Sequence, residues 1–345
     1  MPAWIRIVIV DYKSGAHLQT CVDALLAQTF TDFEVVIVDN TCPEGAARKL
    51  VNLDARFHIL EAGENLGYAG GCNFGVDGNK TQNAHPCKTP WVAMLNPDAF
   101  PQPDWLHHLH QAAQTYPDIS IFSTTLVSAD NPDILDGFGD VLSVYGIAWH
   151  GGGGAPLSSA GQEDVYVFGP CGAAALYRTD VFRQAGGFDT DFFCYIEDVD
   201  LAWRLQQQGK KCVQVRRALC AHVGSVSTAT NPEFRYYHAA RNTIWMIVKC
   251  TPLWLLPIML GLNMFSHLYL YRSRAQRGEA SAWSRGLRHG LYGLPRFWKK
   301  RKPLARQRKI HKHKTLNGLV IARKSVQTRA IHSWPIPPAN NTPTP

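Results

Sequence analysis

Residues 5–40 read IRIVIVDYKSGAHLQTCVDALLAQTFTDFEVVIVDN, and this stretch decides the fold. Two β-branched runs, Ile5 to Val10 and Glu34 to Asp39, flank a segment from His17 to Gln28 in which Leu18, Val22, Leu25 and Leu26 recur at helical spacing. The runs lack the polar alternation of a half-exposed strand, as expected of parallel strands buried on both faces, so the pattern predicts a βαβ unit. Each run ends in polar residues, Asp11-Tyr12 and Asp39-Asn40-Thr41. Ligands of open α/β sheets bind beyond such carboxyl ends. A third apolar run, Trp91 to Leu95, leads straight into Asn96-Pro97-Asp98 and delivers another carboxylate to the same edge.

Further along, Val127 to Tyr166 dissolves into Asp, Asn, Pro and Gly, including Gly151 to Gly154, and reads as a mobile loop. Order resumes from Val165 to Tyr177, and a helix is expected from Glu197 to Gln208, ending at Gly209. Cys250 to Tyr271, CTPLWLLPIMLGLNMFSHLYLY, carries no formal charge and has the length of a bilayer span. Its Pro252, Pro257, Gly261, Asn263 and His267 fit a segment lying in or on the membrane at least as well. After it, tryptophans and leucines interleave with cations, as in interfacial helices. The expected division is a catalytic domain over 1–248, a membrane-associating region over 249–325, and a disordered tail over 326–345.

The net charge of +8 conceals an asymmetry. Of the 35 lysines and arginines, 18 lie from Arg272 onward, together with one acid, Glu279; the 17 basic and 26 acidic residues before that point make the main domain acidic. An acidic catalytic domain argues against nucleic acid as its partner, and the basic segment reads as an appendage suited to anionic lipid headgroups. Nine cysteines without a C-x-x-C pair make a poor disulfide framework and suit a reducing compartment. The opening apolar run is too short for a signal sequence, so no export is expected.

Two elements carry chemistry. Asp98 follows a buried strand through a stiff proline turn, a placement that suits a hard divalent cation, Mg²⁺ or Mn²⁺, although Asn-Pro-Asp alone is an ordinary turn. The second is Gly186-Gly187-Phe188-Asp189 followed by Phe192-Phe193-Cys194-Tyr195-Ile196-Glu197-Asp198-Val199-Asp200. Carboxylates crowded beside aromatic rings at a helix start have their proton affinity tuned by desolvation, repulsion and the helix dipole, as a general base requires. The plainer alternative is acidic decoration of a first helical turn.

Taken in order, IVIVDYKSG, EVVIVDN, ENLGYAGGCNFG, WVAMLNPDAF, GPCGAAALYRTDVFRQAGGFDTDFFCYIEDVDLAWRL and HVGSVSTATNPEFRYYHAARN make residues 4–250 resemble glycosyltransferase family 2, inverting enzymes of the GT-A fold, and within it the rhamnosyltransferase-like branch of bacterial surface-polysaccharide synthesis. The resemblance implies an α/β Rossmann-like sandwich with a mainly parallel mixed sheet. It implies nucleotide contacts from Asp11 and Asp39, and a pocket floor from Asn65-Leu66-Gly67, Gly70, Gly71 and Asn73. Asp98 would ligate the metal, with Asn96 in place of the family's first acid. Asp198, beside Glu197, would be the catalytic base. His222 would complete the metal shell or bind diphosphate, and Arg235, Arg241 and Asn242 would meet diphosphate or acceptor. The implied partners are a dTDP-, UDP- or GDP-sugar, with dTDP-rhamnose preferred, and a polyprenyl-linked glycan at the cytoplasmic face of the inner membrane.

Three other readings fit the sequence less well. A sugar-phosphate nucleotidyltransferase needs a glycine-rich basic phosphate loop that Lys13-Ser14-Gly15 does not supply. A non-catalytic nucleotide- or sugar-binding membrane adaptor would have no need to keep both Asp98 and Asp198. Nucleic-acid binding through the basic tail would sit poorly beside the acidic main domain.

Overall fold

The structure, a computed structural model, describes residues 2–40, 45–78, 86–224, 231–310 and 318–337. The first half runs β1 (Ile5–Asp11), α1 (His17–Leu26), β2 (Phe33–Asp39), β3 (Phe57–Glu61), α2 (Gly67–Asp77), β4 (Trp91–Leu95), β5 (Ala99–Pro101), α3 (Trp105–Thr115) and β6 (Ile121–Ser128). Next come β7 (Leu135–Phe138), β8 (Asp140–Leu142), β9 (Ala148–His150), β10 (Val165–Val167), β11 (Ala174–Arg178), α4 (Thr179–Gln184), α5 (Glu197–Gln207) and β12 (Cys212–His222). The C-terminal part holds α6 (Pro232–Cys250), α7 (Leu256–Gln276), α8 (Ala280–Tyr292), α9 (Leu294–Lys299), α10 (Arg301–Gln307), α11 (Arg323–Thr328) and β13 (Ser333–Pro335).

One mixed sheet has the order β13-β10-β12-β6-β11-β4-β1-β2-β3, with β5 on β12 and β7 on β6. The predicted βαβ unit is present: β1 and β2 pair in parallel from Ile5↔Phe33 to Asp11↔Asp39, and β4 joins β1 in parallel. The lack of alternation in β1 now has its reason. Ile5, Ile7 and Ile9 pack with Leu18, Cys21, Val22 and Leu25 of α1, while Val8 and Val10 pack with Ala69, Cys72 and Val76 of α2. Both faces are dry, so Ile5 and Ile7 to Val10 are apolar, and the one cation of the strand, buried Arg6, pairs with Glu34 (2.6 Å). Close approach of α2 requires glycine: a Cβ on Gly75 would lie 2.3 Å from Val8 Cγ1, and one on Gly71 2.7 Å from Val10 Cγ1.

The segment read as a mobile loop is ordered structure. Residues 127–165 form β7, β8, β9 and a 3₁₀ turn at Leu157–Ala160, and Leu135, Phe138, Val141 and Leu142 are buried. Its glycines, Gly139, Gly146, Gly152 and Gly154, sit at positive φ in tight turns, which is why the composition imitates a loop.

The basic C-terminal region is likewise not an appendage. Arg301 donates to the carbonyls of Val248 and Thr251, Arg308 Nε to Gln207 Oε1 (2.8 Å), and Lys300 Nζ to Asp189 (2.6 Å) and Asp191 (2.8 Å). Among the described residues, no helix is long and apolar enough to cross a membrane. Cys250 to Tyr271 is broken by a turn at 251–255, after which Pro257 occupies the first turn of α7. The expected disorder from 326 onward does not hold up to residue 337: β13 pairs antiparallel with β10, and Trp149 Nε1 donates to Ala330 O (3.0 Å). Residues 338–345 lie outside the described residues.

Candidate active site

A cleft of about 620 Å³ opens at the carboxyl ends of the central strands, lined among others by Asn96, Asp98, Glu197, Asp198 and His222. Residues a hundred apart in sequence are thus brought to one cavity. Three strand relationships do it. Asn96-Pro97-Asp98 connects β4 to β5, and β5 pairs with β12 so that Ala99 stands opposite His222. Val223 N donates to Asp98 O (3.0 Å), locking the two chains at that point. His222 Nε2 consequently lies 3.5 Å from Asp98 Oδ1 and 3.5 Å from Asn96 Nδ2.

Asp98 and His222 are both buried. Burial alone would lower the imidazole pKa, but its hydrogen bonds to Asp136 and Asp98 raise it to about 9. Asp136 Oδ2 accepts from Nδ1 at 2.8 Å. The carboxylate oxygen on this wall suits Mg²⁺ or Mn²⁺, and the imidazole nitrogen beside it is a ligand that a transition ion such as Mn²⁺ accepts more readily than the oxygen-seeking Mg²⁺. A second group lines the same cleft: donor atoms of Asp140, His150 and Cys171 lie within 4.8 Å of one another, and the thiol favours softer metals.

Asp198 is the second residue of α5. Its Oδ2 accepts from Gly172 N (3.0 Å) and its Oδ1 from Val199 N (2.8 Å). Glu197 beside it differs sharply: it is buried, its Oε2 has no hydrogen-bond partner, and burial, then the Asp198 charge, pushes its pKa well above 4.5. Glu197 therefore holds its proton more tightly than an ordinary glutamate, while its neighbour Asp198 is held by backbone N–H groups. The loop that delivers them is contorted, with Phe193, Tyr195 and Ile196 at φ of 65°, 70° and 73°. Positive φ is costly for a β-branched residue such as Ile196, so the surroundings must enforce it.

Those surroundings correct the expectations for Arg241 and Asn242. Asn242 Nδ2 lies within hydrogen-bond reach of the carbonyls of Phe192 (2.9 Å), Cys194 (2.9 Å) and Tyr195 (2.7 Å). Arg241 Nη2 donates to Phe192 O (2.9 Å), and its guanidinium stacks over Trp245. Both side chains clamp the loop, and neither is among the described residues that line the cleft. Arg235 is exposed and lies over the Tyr236 ring; it does not line the cleft. The other acids of the motif are neutralised. Asp200 pairs with Arg204 and Lys249 (2.8 Å each), and Asp189 pairs with Lys249 and Lys300. Burial would raise the Asp189 carboxyl, but the two lysines hold it well below the usual range.

The nucleotide-pocket expectations divide. Asn65 and Gly67 line the cleft, with Asn65 Oδ1 accepting from Gly67 N (2.9 Å). Gly71 instead packs on Val10, and Asn73 holds Phe188 through its main-chain N–H and carbonyl. Asp11 and Asp39 come close together at the ends of β1 and β2, yet both are fully buried beneath residues 45–49. Asp11 accepts from Ser14 Oγ (2.5 Å) and Ala47 N (2.9 Å), and Asp39 pairs with Arg48 (3.6 Å). Contact with a nucleotide would require that short segment to shift.

Residues missed from sequence include Asp136, Asp140 and His150, all in the stretch read as a loop, and Cys171 from the motif that begins β11's approach. The glycine-spaced Asp and His in DGFGDVLSVYGIAWHG is the signal that could have revealed the first three. Residues 225–230 of the last motif lie outside the described residues.

A mixed sheet with Asp98 just beyond β4, His222 at the end of β12 and Asp198 in the first turn of α5, all lining one cleft, is the arrangement expected of a glycosyltransferase. Residues 6–185 match the family described as Glycosyl transferase family 2, and the chain belongs to that family. It is 28% identical over 246 residues to an N-acetylglucosaminyl-diphospho-decaprenol L-rhamnosyltransferase of Mycobacterium tuberculosis, covering 66% of this chain and 78% of the relative. Identity is also 28% over 243 residues to the O-antigen biosynthesis protein RfbC of Myxococcus xanthus, covering 67% of this chain and 18% of that protein. Among solved structures, S. aureus TarS 1–349 in complex with UDP-GlcNAc superposes with a TM-score of 0.53 at 12% identity, over 94% of this chain and 92% of that one. The mannosyltransferase PcManGT from Pyrobaculum calidifontis, in complex with GDP-Man and Mn²⁺, gives 0.51 at 14% identity, over 87% and 88%. These two likenesses speak for the fold.

Proposed function

We propose that this enzyme moves a single sugar, rhamnose from dTDP-rhamnose, onto a hydroxyl of a polyprenyl-linked glycan, with inversion at the anomeric carbon. The observation that carries the reading is that Asp98 and Asp198, delivered by separate strands and helices, line one cleft. Asp198 accepts the proton of the acceptor hydroxyl as its oxygen bonds to the anomeric carbon and the bond to the nucleoside diphosphate breaks. Gly172 N and Val199 N hold the carboxylate in place for that task. Burial and the Asp198 charge raise the Glu197 pKa, which disfavours a second negative charge at the base. Asp98 and His222 would hold a divalent cation, Mg²⁺ or Mn²⁺, which supplies positive charge opposite the leaving diphosphate.

The rhamnosyl donor and lipid-linked acceptor come from the Mycobacterium relative's described activity, which supports them by likeness. An exposed apolar stripe on α7, including Ile258, Phe265, Leu268 and Tyr269, supports attachment to a membrane surface. A thermal-shift screen of dTDP-, UDP- and GDP-sugars with Mg²⁺ or Mn²⁺ tests the donor class, because a ligand of the native state raises Tm. The Asp198→Asn enzyme should still show the donor-induced shift while losing at least about 100-fold in turnover. Turnover near that of the unaltered enzyme would overturn the assignment of the base.

A further inference from the structure

We infer that Asp136 is a positioning residue for the cation site, the outer carboxylate that aims His222 at the ion; this rests on the reading of Asp98 and His222 as that ion's ligands. An imidazole has two nitrogens with different tasks. When one carries the proton and donates it, the other keeps a lone pair for a metal, and the hydrogen bond made by the first selects which is which. In this cleft Nδ1 of His222 is 2.8 Å from Asp136 Oδ2, whereas Nε2 faces Asp98 Oδ1 at 3.5 Å. Asp136 thus holds the proton at Nδ1, and a divalent ion shared by Nε2 and the Asp98 carboxylate would take the place of the proton that lies between them without a metal.

The fold builds this contact from two strands on either side of β6. On one side His222 of β12 stands opposite Ser128; on the other Leu135 of β7 stands opposite Val127, with a register shift between Leu126 and Val127. The next residue of β7, Asp136, meets His222 across the end of β6. Because the two groups are 86 residues apart, the pairing is a product of sheet order and not of local sequence. The Asp136 side chain remains 33% exposed, so it is not a buried counter-charge that the fold needs in order to close.

A purely structural ion pair would affect stability and leave metal affinity alone, and this separates the two roles. Mn²⁺ binding to the full chain, read by electron paramagnetic resonance with and without UDP, should weaken about 10- to 100-fold in Asp136→Asn. The exposed Asp133→Asn control should bind Mn²⁺ like the unaltered protein. If Asp98→Asn leaves Mn²⁺ affinity unchanged, the cation reading itself fails. If Asp98→Asn abolishes binding and Asp136→Asn matches the unaltered protein, only the present inference fails. Nitrogen-15 spectra of the histidines in the unaltered Mn²⁺-free and Mg²⁺-loaded protein give a second measurement that needs no variant: the Mg²⁺-loaded state should show His222 protonated at Nδ1, and a proton at Nε2 would overturn the proposal.

Discussion

Replacing Asn242 with alanine tests whether the clamp behind the catalytic loop is what presents Asp198. The two protons of the Asn242 amide are shared among the carbonyls of Phe192, Cys194 and Tyr195, and its Oδ1 accepts from Arg241 Nε (2.9 Å). A net intramolecular hydrogen bond contributes about 1 kcal/mol, and stranding a buried partner costs about 1–3 kcal/mol. Loss of the amide should therefore lower stability by about 2–4 kcal/mol, read as a shift of the urea midpoint at constant slope. Against the clamp stands the positive φ of Phe193, Tyr195 and Ile196, each conformation costing on the order of 1–3 kcal/mol. Freed of Asn242, the loop relaxes toward ordinary backbone angles and carries Glu197 and Asp198 with it. A displacement of about 1 Å at a reacting group costs on the order of 100-fold. The expected result is a kcat lowered by about that factor, with the donor-induced thermal shift retained. A variant that loses the stability but keeps its kcat would refute the positioning argument and leave Asn242 as a fold residue alone.

Two further outcomes follow from the same structure. Glu197 binds its proton more tightly folded than unfolded, because burial and Asp198 raise its pKa above 4.5; stability is therefore lost as pH rises from the unfolded value through the folded one. Glu197→Gln should match the unaltered enzyme in Tm near pH 4 and exceed it at neutral pH, whereas a gap that stays constant with pH would contradict the raised pKa. Phe265 and Leu268 are 60% and 69% exposed on α7, so Phe265→Glu with Leu268→Glu should leave Tm unchanged and reduce co-flotation with phosphatidylserine vesicles by at least about tenfold. Equal flotation would remove α7 as the attachment face.

Local pattern was enough for the elements whose environment is uniform. A strand dry on both faces advertises itself as a largely apolar run without polar alternation, so β1, β2 and β4 were legible to within a residue or two, and the polar residues that end them marked the functional edge of the sheet. The same logic failed where glycine turns connect short strands: β7 to β9 look like a loop because composition reports turn chemistry and not what the turns pack against. The strand carrying Asp136 lay within that misread stretch.

By itself the sequence determined the βαβ nucleus and the order of the motifs, because periodicity and turn preference are properties of neighbouring residues, and the family resemblance those motifs carry singled out Asp98 and Asp198 as the residues to watch. The tertiary structure alone decided where side chains go. Antiparallel pairing of β5 with β12 put His222 beside Asp98, a 50-residue return of the chain turned Asn242 into a clamp, and ion pairs to Asp189 and Asp191 drew Lys300 out of solvent into the catalytic framework. A charged or polar side chain is compatible with many partners in sequence, and the one it meets is set by the packing of elements that only the folded chain brings together.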